Sequence, residues 1–424
     1  MRLAGLHTSS LQRHSELTPL AEQTLRRCHV IAAFSETSGS ITRTFLSDPM
    51  RDCHLAISGW MKELGMLVTV DAVGNLRGLH GSGDRPRLLI GSHLDTVPCA
   101  GAYDGVLGVC VALAVVAALK DQALPFDIEV LGFSEEEGVR FRAPFLGSLA
   151  LVGRFDSKLL DLRDANGCTV QEAIRRFGLD PTRIPDACVD QRAFAFLEFH
   201  IEQGPLLDRA GESIAAVSAI AGQSRLEVLF QGRANHAGTT PMDLRQDALT
   251  GAAEWIVNVE QHAQSIEGLV ATIGTLQVSP GAGNVIPGEI RASLDVRHAC
   301  DETRISAVRN ICRAAEQIAL RRGLEFSFEE RISQNAVLMN QHLVNLIEQA
   351  MRRIGEVPRR MVSGAGHDAM IMAEKIPSAM VFVRSIAGIS HHPDESVRSE
   401  DVEKAIGVGV AMLTDLAAEL RRAQ

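Results

Sequence analysis

Hydrophobic and polar positions follow two different periods in the first half of the chain, and their alternation predicts an α/β architecture. Short apolar runs at 87–92, 127–133 and 194–199 are typical of buried strands, and the longer apolar run at 106–120 predicts a buried helix. The alternating segment 66–77 contains the turn signal Gly74-Asn75 and indicates a hairpin. Strands that alternate with helices favour a mainly parallel sheet, with helices packed on it.

Near residue 220 the pattern changes to the order β-α-β-β-α-β, which is the ferredoxin-like arrangement. Strands are predicted at 225–231, 269–278, 289–297 and 324–329, and helices at 243–262 and 302–321. The first helix has its apolar stripe at Leu244, Ala248, Ala252, Ile256 and Val259, and the second at Ile305, Val308, Cys312, Ala315 and Ala319. After about residue 333 the α/β pattern resumes, with a helix at 340–354 and a strand at 379–384. The sequence therefore predicts a mixed-sheet α/β domain formed by 1–220 and 334–424, with 221–333 inserted as a second domain.

Composition narrows the classes of protein that the chain can belong to. Its 424 residues are 46% hydrophobic and 22% charged, with a net charge of −10, which argues against a nucleic-acid-binding surface. The longest apolar run is shorter than the roughly 20 residues that a membrane span requires. Eight cysteines without a Cys-x-x-Cys pair, and an N-terminus without an apolar signal segment, predict a cytoplasmic protein with reduced thiols.

Clusters of histidine and carboxylate residues follow several of the predicted strands. Each cluster alone has a plain explanation, as a surface pair, a solvated turn or a core histidine. In open α/β sheets, however, ligands bind at the carboxyl ends of the strands, where such clusters converge. Buried charges are costly unless they are paired or bind a metal, so the set together predicts a metal site. The clusters are His93-Leu94-Asp95, Tyr103-Asp104-Gly105, Glu135-Glu136-Glu137, His200-Ile201-Glu202-Gln203 and Ser390-His391-His392.

Three histidines with aspartate and glutamate suit divalent transition ions such as zinc or manganese. Five ligands are too many for one structural zinc and suit two ions that share a bridging carboxylate. Of the adjacent pair Glu136-Glu137, one residue would bind metal and the other would act as general base. Asp95 is placed to orient the ring of His93.

Nine motifs in sequence order resemble those of the hydantoinase/carbamoylase family of dinuclear metal amidohydrolases, which are relatives of the aminoacylase and carboxypeptidase metallopeptidases. The resemblance covers about residues 25–420. It implies a metallopeptidase-like catalytic domain at 1–220 and 334–424, and a lid and dimerisation domain at 221–333 that forms a homodimer. The motifs are GSHLDTVP (91–98), YDG (103–105), EEGVRF (136–141), HIEQG (200–204), NHAG (235–238), NVIPG (284–288), DVRH (295–298), GAGHDA (364–369) and GISHHPDE (388–395).

The resemblance also implies a role for each residue of the site. Two divalent ions, manganese or zinc, share Asp104 as a bridging ligand. Glu136 is implied as the general base, with the register within 135–137 set by the Glu-Glu-Gly pattern, and His236 as the residue that stabilises the oxyanion. The implied metal ligands are His93, Asp104 and His200 for one ion and Asp104, Glu137 and His391 for the other. The implied substrate contacts are Arg297 and Asn284, which would clamp a carboxylate, together with Gln203 and His367.

The activity that the resemblance implies is hydrolysis of the ureido group of a small carboxylate, with release of ammonia and carbon dioxide. Allantoate is favoured as substrate, which would place the enzyme in purine degradation. N-carbamoyl-L-amino acids, or the substrate of β-ureidopropionase, are the alternative. An aminoacylase or dipeptidase is less favoured, because His200 stands where the peptidase relatives have an acidic residue. A metal-bound protein without catalytic activity is the remaining hypothesis.

Overall fold

The computed structural model describes residues 7–423, with side chains described for 17–422, and it divides into two compact units. Unit 1 runs to Ser218 and resumes at Met339, and unit 2 is Ala219–Leu338. The first six residues, which belong to the N-terminus predicted to lack a signal segment, lie outside the described range. Within residues 7–423, none of the helices combines the length and the apolar character that crossing a bilayer requires.

The helices and strands follow one another in the α/β order that the pattern predicted. The bounds up to the end of the sixth strand are α1 (His7–Ala32), α2 (Asp48–Glu63), β1 (Leu67–Val70), β2 (Leu76–His80), β3 (Arg87–His93), α3 (Val106–Leu119), β4 (Asp127–Phe133), α4 (Leu146–Val152), α5 (Val170–Arg176), β5 (Ala193–Ile201), α6 (Leu206–Ala210) and β6 (Ile214–Ile220). The bounds after that are β7 (Gly222–Gln231), α7 (Ala248–Gln264), β8 (Val270–Ser279), β9 (Glu289–His298), α8 (Asp301–Arg322), β10 (Glu325–Gln334), β11 (Val337–Leu338), α9 (Gln341–Arg353), β12 (Arg360–Ser363), α10 (Asp368–Met372), β13 (Ser378–Val383) and α11 (Ser399–Ala423).

Among the described residues, the larger sheet has nine strands in the order β1-β2-β4-β3-β5-β13-β6-β11, and β12 pairs with β6. Its centre is parallel, because β3 pairs in parallel with β4 and β5, and β5 with β13. The predicted hairpin is present, with β1 antiparallel to β2, and β6 is antiparallel to β13. The sheet is therefore mixed, as predicted, and the carboxyl ends of β3, β4, β5 and β13 lie at one edge.

Helix α3 is apolar and almost wholly buried, and it approaches the sheet closely at Gly108. A Cβ atom at this glycine would lie 2.0 Å from the carbonyl oxygen of Phe199 in β5 and 2.7 Å from the Cβ of Ser92 in β3. The absence of a side chain therefore lets the helix backbone lie directly on these strands. Both strands carry site residues at their carboxyl ends, so this contact fixes the position of the site.

We expect Gly108→Ala to lower the free energy of unfolding by about 1–3 kcal/mol, because the added methyl group meets backbone atoms that must move. Gly59→Ala is the matched control, at an exposed position of α2. A Cβ there meets nothing within 4 Å among the described residues, so alanine should stabilise by about 0.5–1 kcal/mol through helix propensity. Urea unfolding of both variants measures the difference. Equal midpoints for the two variants would contradict the close contact.

Unit 2 has the predicted ferredoxin-like order β-α-β-β-α-β. Within its described residues, an antiparallel sheet of four strands runs in the order β10-β7-β9-β8, and α7 and α8 pack on it. The core between helices and sheet contains Trp255 and Phe230, whose ring centroids are 5.7 Å apart. The fold class predicted from the sequence is thus confirmed for both units.

Two positions of the predicted helical stripes were wrong. Helix α7 begins at Ala248 rather than at 243, because the carboxylate of Asp247 accepts hydrogen bonds from the backbone N–H groups of Leu249 and Thr250 and caps the helix there. Leu244 consequently lies in a short 3₁₀ turn and is 69% exposed. In α8 the buried side includes Ile311 and Ala315, and Ile305 lies at its margin, 37% exposed.

Candidate metal centre

The carboxyl ends of β3, β4 and β5 bring together side chains that are distant in sequence. His93 is the last residue of β3, His200 is the penultimate residue of β5, and Glu136 and Glu137 follow β4. Asp104 lies in the loop before α3 and is followed by Gly105, which has φ +69°. A Cβ at Gly105 would lie 2.5 Å from the ring of His93, so only glycine allows the loop to pass this close to the histidine.

Histidine and carboxylate atoms that could hold a metal form four overlapping groups among the described side chains, and two of these groups share Asp104. We call His93, Asp104 and His200 the inner cluster, and Asp104, Glu137 and His391 the outer cluster. Asp104 belongs to both. The inner side chains are at most 2% exposed, whereas the side chain of His391 is 46% exposed.

In the inner cluster the Nε2 atoms of His93 and His200 are 3.3 Å apart. The Oδ1 atom of Asp104 lies 3.3 Å from Nε2 of His200 and 3.9 Å from Nε2 of His93. Each Nδ1 atom faces a backbone carbonyl, that of Asp95 at 3.0 Å and that of Ile201 at 2.9 Å. A carbonyl only accepts hydrogen bonds, so the Nδ1 atoms carry the protons and, in the neutral rings, both Nε2 lone pairs point at each other. Acceptors that converge in this way fit a cation between them.

The pKa values of these two histidines reflect their burial and the carboxylates around them. Burial lowers the pKa of His200 to about 4, so its ring is neutral at physiological pH. For His93 burial acts in the same direction, but the carboxylates of Asp95, Glu136 and Asp104 outweigh it and raise its pKa well above the usual value. The negative charge around His93 thus attracts a cation, which can be a proton or a divalent ion.

The outer cluster extends from the other oxygen of Asp104. Its Oδ2 atom lies 3.0 Å from Nε2 of His391, which is 3.5 Å from Oε1 of Glu137. Burial raises the pKa of Glu137 to about 7. Burial would also raise the pKa of Asp104, but hydrogen bonding to His391 and the charges of the histidines lower it well below the usual value. The donor set of two oxygens and one imidazole nitrogen again suits a divalent transition ion.

Asp95 fixes the backbone that carries Glu136 and Glu137. Its Oδ1 and Oδ2 atoms accept hydrogen bonds from the N–H groups of these residues at 2.9 and 3.0 Å, and Oδ1 lies 3.5 Å from Nδ1 of His93. The carboxylates of Glu136 and Glu137 form a potential ligand group with His93. Glu135 belongs to none of the ligand groups found among the described side chains, and its carboxylate is buried.

Burial raises the pKa of the Glu136 carboxyl well above its usual value, and the neighbouring carboxylates of Glu137, Asp368 and Asp95 raise it further. The charge of His93 acts in the opposite direction. A carboxyl group whose pKa is raised binds a proton more readily than an ordinary surface carboxylate. The environment of Glu136 therefore suits a group that transfers protons.

Two predicted substrate contacts, Gln203 and His367, lie against the clusters. Gln203 has φ +58°, and its Nε2 atom lies 3.1 Å from each carboxylate oxygen of Asp104. His367 is buried, with its ring centroid 4.4 Å from that of His200 and its Nε2 atom 2.9 Å from the hydroxyl oxygen of Ser363. In this structure His367 therefore lies against His200 of the inner cluster, and with His200 and Glu198 it forms a further group that could hold a metal ion.

The other predicted site residues belong to unit 2. His236 is exposed, and its Nδ1 atom accepts a hydrogen bond from the N–H of Gly238 at 3.0 Å, so in the neutral ring Nε2 carries the proton. The loop of Asn284 lies beside it, since the carbonyl of Asn284 accepts a hydrogen bond from the N–H of Ala237 at 2.9 Å. Arg297 in β9 binds both carboxylate oxygens of Asp295, at 2.8 and 3.0 Å.

Sequence reasoning missed two buried carboxylates beside the clusters. Glu198 in β5 accepts hydrogen bonds from the hydroxyl of Ser92 at 3.0 Å and from the N–H of Ala369 at 2.8 Å, and burial raises its pKa to about 7. Glu395 contacts the backbone of the Asp104 loop. The signal for Glu198 was a lone carboxylate inside the apolar segment 194–199. Glu395 ends the motif at 388–395, in which the sequence had predicted a role only for the histidines.

Residues 89–418 match the family model described as peptidase family M20/M25/M40. The chain is 36% identical to an allantoate deiminase of Arabidopsis thaliana, over 95% of this chain and 83% of that one. It is 37% identical to an N-carbamoyl-L-amino acid amidohydrolase of Geobacillus stearothermophilus, over 88% of this chain and 92% of that one. A crystal structure of a hydantoinase/carbamoylase family amidase from Burkholderia multivorans has a TM-score of 0.87 and 33% identity, covering 93% of this chain and 97% of that one.

Proposed function

Since the chain belongs to peptidase family M20/M25/M40, among its hydantoinase/carbamoylase members, we propose that it is a metal-dependent amidohydrolase that cleaves a ureido group. The observation that carries the proposal is the convergence of the inner and outer clusters on Asp104, with Glu136 beside them. Relatives that match nearly the whole chain are named for allantoate and for N-carbamoyl-L-amino acids. Both compounds combine a ureido group with a carboxylate. We propose allantoate as the substrate and N-carbamoyl-L-amino acids as the alternative.

We propose that the inner cluster holds one divalent ion and the outer cluster a second, with manganese or zinc as the metal. When bound, a pair of such ions polarises a carbonyl group and makes water more acidic. Support for two ions comes from the geometry of Asp104, whose Oδ1 atom faces the inner cluster and whose Oδ2 atom faces the outer one. A single carboxylate with one oxygen directed to each cluster suits a bridging ligand.

The side chains of the protein then move protons and hold the substrate. Glu136 takes a proton from the attacking water and returns it to the nitrogen that leaves the ureido carbon. Hydrolysis breaks one C–N bond and leaves a carbamic acid, which loses carbon dioxide as the second C–N bond breaks. In sum, R–NH–CO–NH₂ and one molecule of water give the amine, carbon dioxide and ammonia. For unit 2 we propose that Nε2–H of His236 donates to the oxyanion and that Arg297 and Asn284 bind the substrate carboxylate. Gln203 and His367 stay predicted substrate contacts.

We also propose that the protein is a homodimer that associates through unit 2. Strand β8 is an edge strand of its sheet in the described chain, and most of its residues are exposed. They include the apolar residues Val270, Leu276 and Val278, which are unusual on an unpaired edge. Long exposed edges are normally covered, because their free N–H and C=O groups pair readily with another strand.

Ammonia release by the manganese-loaded protein tests the proposed function. Allantoate is compared with N-carbamoyl-L-methionine and N-carbamoyl-β-alanine, and with butylurea, which has a ureido group without a carboxylate. We expect turnover of allantoate and little turnover of butylurea, because Arg297 and Asn284 have no carboxylate to bind. A preference for the carbamoyl amino acids would select the alternative substrate. Absence of ammonia from every carboxylate, with hydrolysis of acyl amino acids or dipeptides instead, would overturn the proposal.

A further inference from the structure

We propose that Glu395 is a positioning residue that ties together the loops carrying Asp104 and His391, and thereby sets the geometry of both metal-binding clusters. The inference rests on the proposed function, since it concerns the same metal centre. Glu395 does not belong to either cluster, and it acts through Asp104 rather than on the substrate. It lies in unit 1, as do the residues that donate hydrogen bonds to its carboxylate.

The carboxylate of Glu395 bonds to both loops. Its Oε1 atom accepts hydrogen bonds from the backbone N–H groups of Tyr103 and Asp104, at 2.9 and 3.0 Å. Its Oε2 atom accepts one from the hydroxyl of Ser390, the residue before His391, at 3.2 Å. The side chain is buried, and these groups are therefore held away from competing water. One carboxylate thus connects the residue that both clusters share with the loop that completes the outer cluster.

The backbone at Gly101 packs closely against the side chain of Glu395. A Cβ atom at Gly101 would lie 2.3 Å from Cβ and 2.4 Å from Oε1 of Glu395, so only glycine lets the Asp104 loop approach the carboxylate. His391 itself has φ +56°, a conformation that is costly for a residue other than glycine and needs support from its surroundings. The bonds from Glu395 to Ser390 and to the Asp104 loop supply such support on one side of the site.

A simple anchoring role would be a competing explanation, in which Glu395 stabilises the fold and the metals bind independently of it. The two explanations differ for glutamine. In Glu395→Gln the amide oxygen can still accept from both N–H groups, and the amide nitrogen can donate to the Ser390 hydroxyl. In Glu395→Ala the two N–H groups lose their acceptor and the Asp104 carboxylate loses its fixed backbone. Groups that orient metal ligands typically contribute 10–100-fold in metal affinity.

The test measures manganese binding to the metal-depleted full-length protein by calorimetry, and the magnetic coupling of the bound ions by electron paramagnetic resonance. We expect Glu395→Ala to lower the affinity of at least one site by 10–100-fold and to weaken the spectrum of the coupled pair. Glu395→Gln should restore both, and Ser390→Ala should have a smaller effect in the same direction. Asp127→Ala is the matched control, because its buried carboxylate accepts hydrogen bonds from the N–H groups of Ser82 and Gly83 at the opposite end of β4.

The outcomes separate this inference from the proposed function. If the wild-type protein binds no pair of ions, the proposed function fails before Glu395 is considered. If it binds two ions and Glu395→Ala binds them with unchanged affinity and an unchanged coupled spectrum, the positioning role is wrong. If Asp127→Ala lost as much metal affinity as Glu395→Ala, the loss would be explained by general destabilisation. That result would also overturn the positioning role of Glu395. Should Glu395→Ala not fold, Glu395→Asp provides the same comparison, since its shorter side chain cannot reach both loops.

Discussion

Replacing Glu136 with glutamine should lower kcat for ureido hydrolysis by about two to four orders of magnitude while the protein still binds its metals. The amide has nearly the shape of the carboxylate but cannot take a proton from water. Asp95 holds the backbone N–H of residue 136 whatever its side chain, so the loop should keep its conformation. Steady-state ammonia release gives kcat, and metal analysis of the same sample shows whether the ions remain bound.

Glu135→Gln is a close control, because the same chemical change is made one residue away at a carboxylate outside the ligand groups. We expect its activity to stay within a few-fold of the wild type. The comparison also tests the register of the three consecutive glutamates. If Glu135→Gln lost activity and Glu136→Gln retained it, the residue that transfers the proton would be Glu135 and not Glu136.

Replacing Asp104 with asparagine should remove metal from both clusters, because the residue contributes one oxygen to each. An amide has one oxygen and no negative charge, so it cannot serve as a bridging anionic ligand between two divalent ions. Metal content after gel filtration should fall well below that of the wild type, and ureido hydrolysis should be undetectable. The added stability that manganese gives the wild type, measured as a rise in Tm, should disappear.

Asp401→Asn controls for the loss of a buried carboxylate as such. Asp401 is fully buried and pairs with Arg384, with Oδ1 2.7 Å from Nη2. Its replacement should lower Tm, because it removes the buried charge that pairs with the guanidinium of Arg384, but both metals should remain bound. An Asp104→Asn protein that retains a full complement of metal would contradict the shared-ligand arrangement.

The parts of the site that are local in sequence were the ones that could be predicted. An apolar run that ends in histidine predicts both a strand and a histidine at its carboxyl end. His93 and His200 lie where this pattern places them. The fold class followed in the same way from the change of hydrophobic period near residue 220. Where prediction failed, the cause was a competing local interaction, as for the helix start at Asp247, which a side-chain cap decided.

What the sequence could not supply were contacts between segments far apart along the chain. Tyr103 and Glu395 are joined by a hydrogen bond across 292 residues, and no periodicity near either residue indicates the other. Glu198 was similar. The pattern placed it on an apolar strand, but its hydrogen-bond donors, the Ser92 hydroxyl and the Ala369 N–H, come from β3 and the start of α10. Such partners become visible only when the sheet order is known.

The insertion of unit 2 into unit 1 also has a consequence for the order of events during synthesis. The ribosome adds about 5–20 residues per second, and a domain can fold once all of its residues have emerged. Unit 2 is one continuous segment, so it can fold as soon as Leu338 has emerged. Unit 1 must wait, because β13 lies between β5 and β6 and His391 follows it in the chain. The three residues of the outer cluster can therefore come together only after nearly the whole chain has been made.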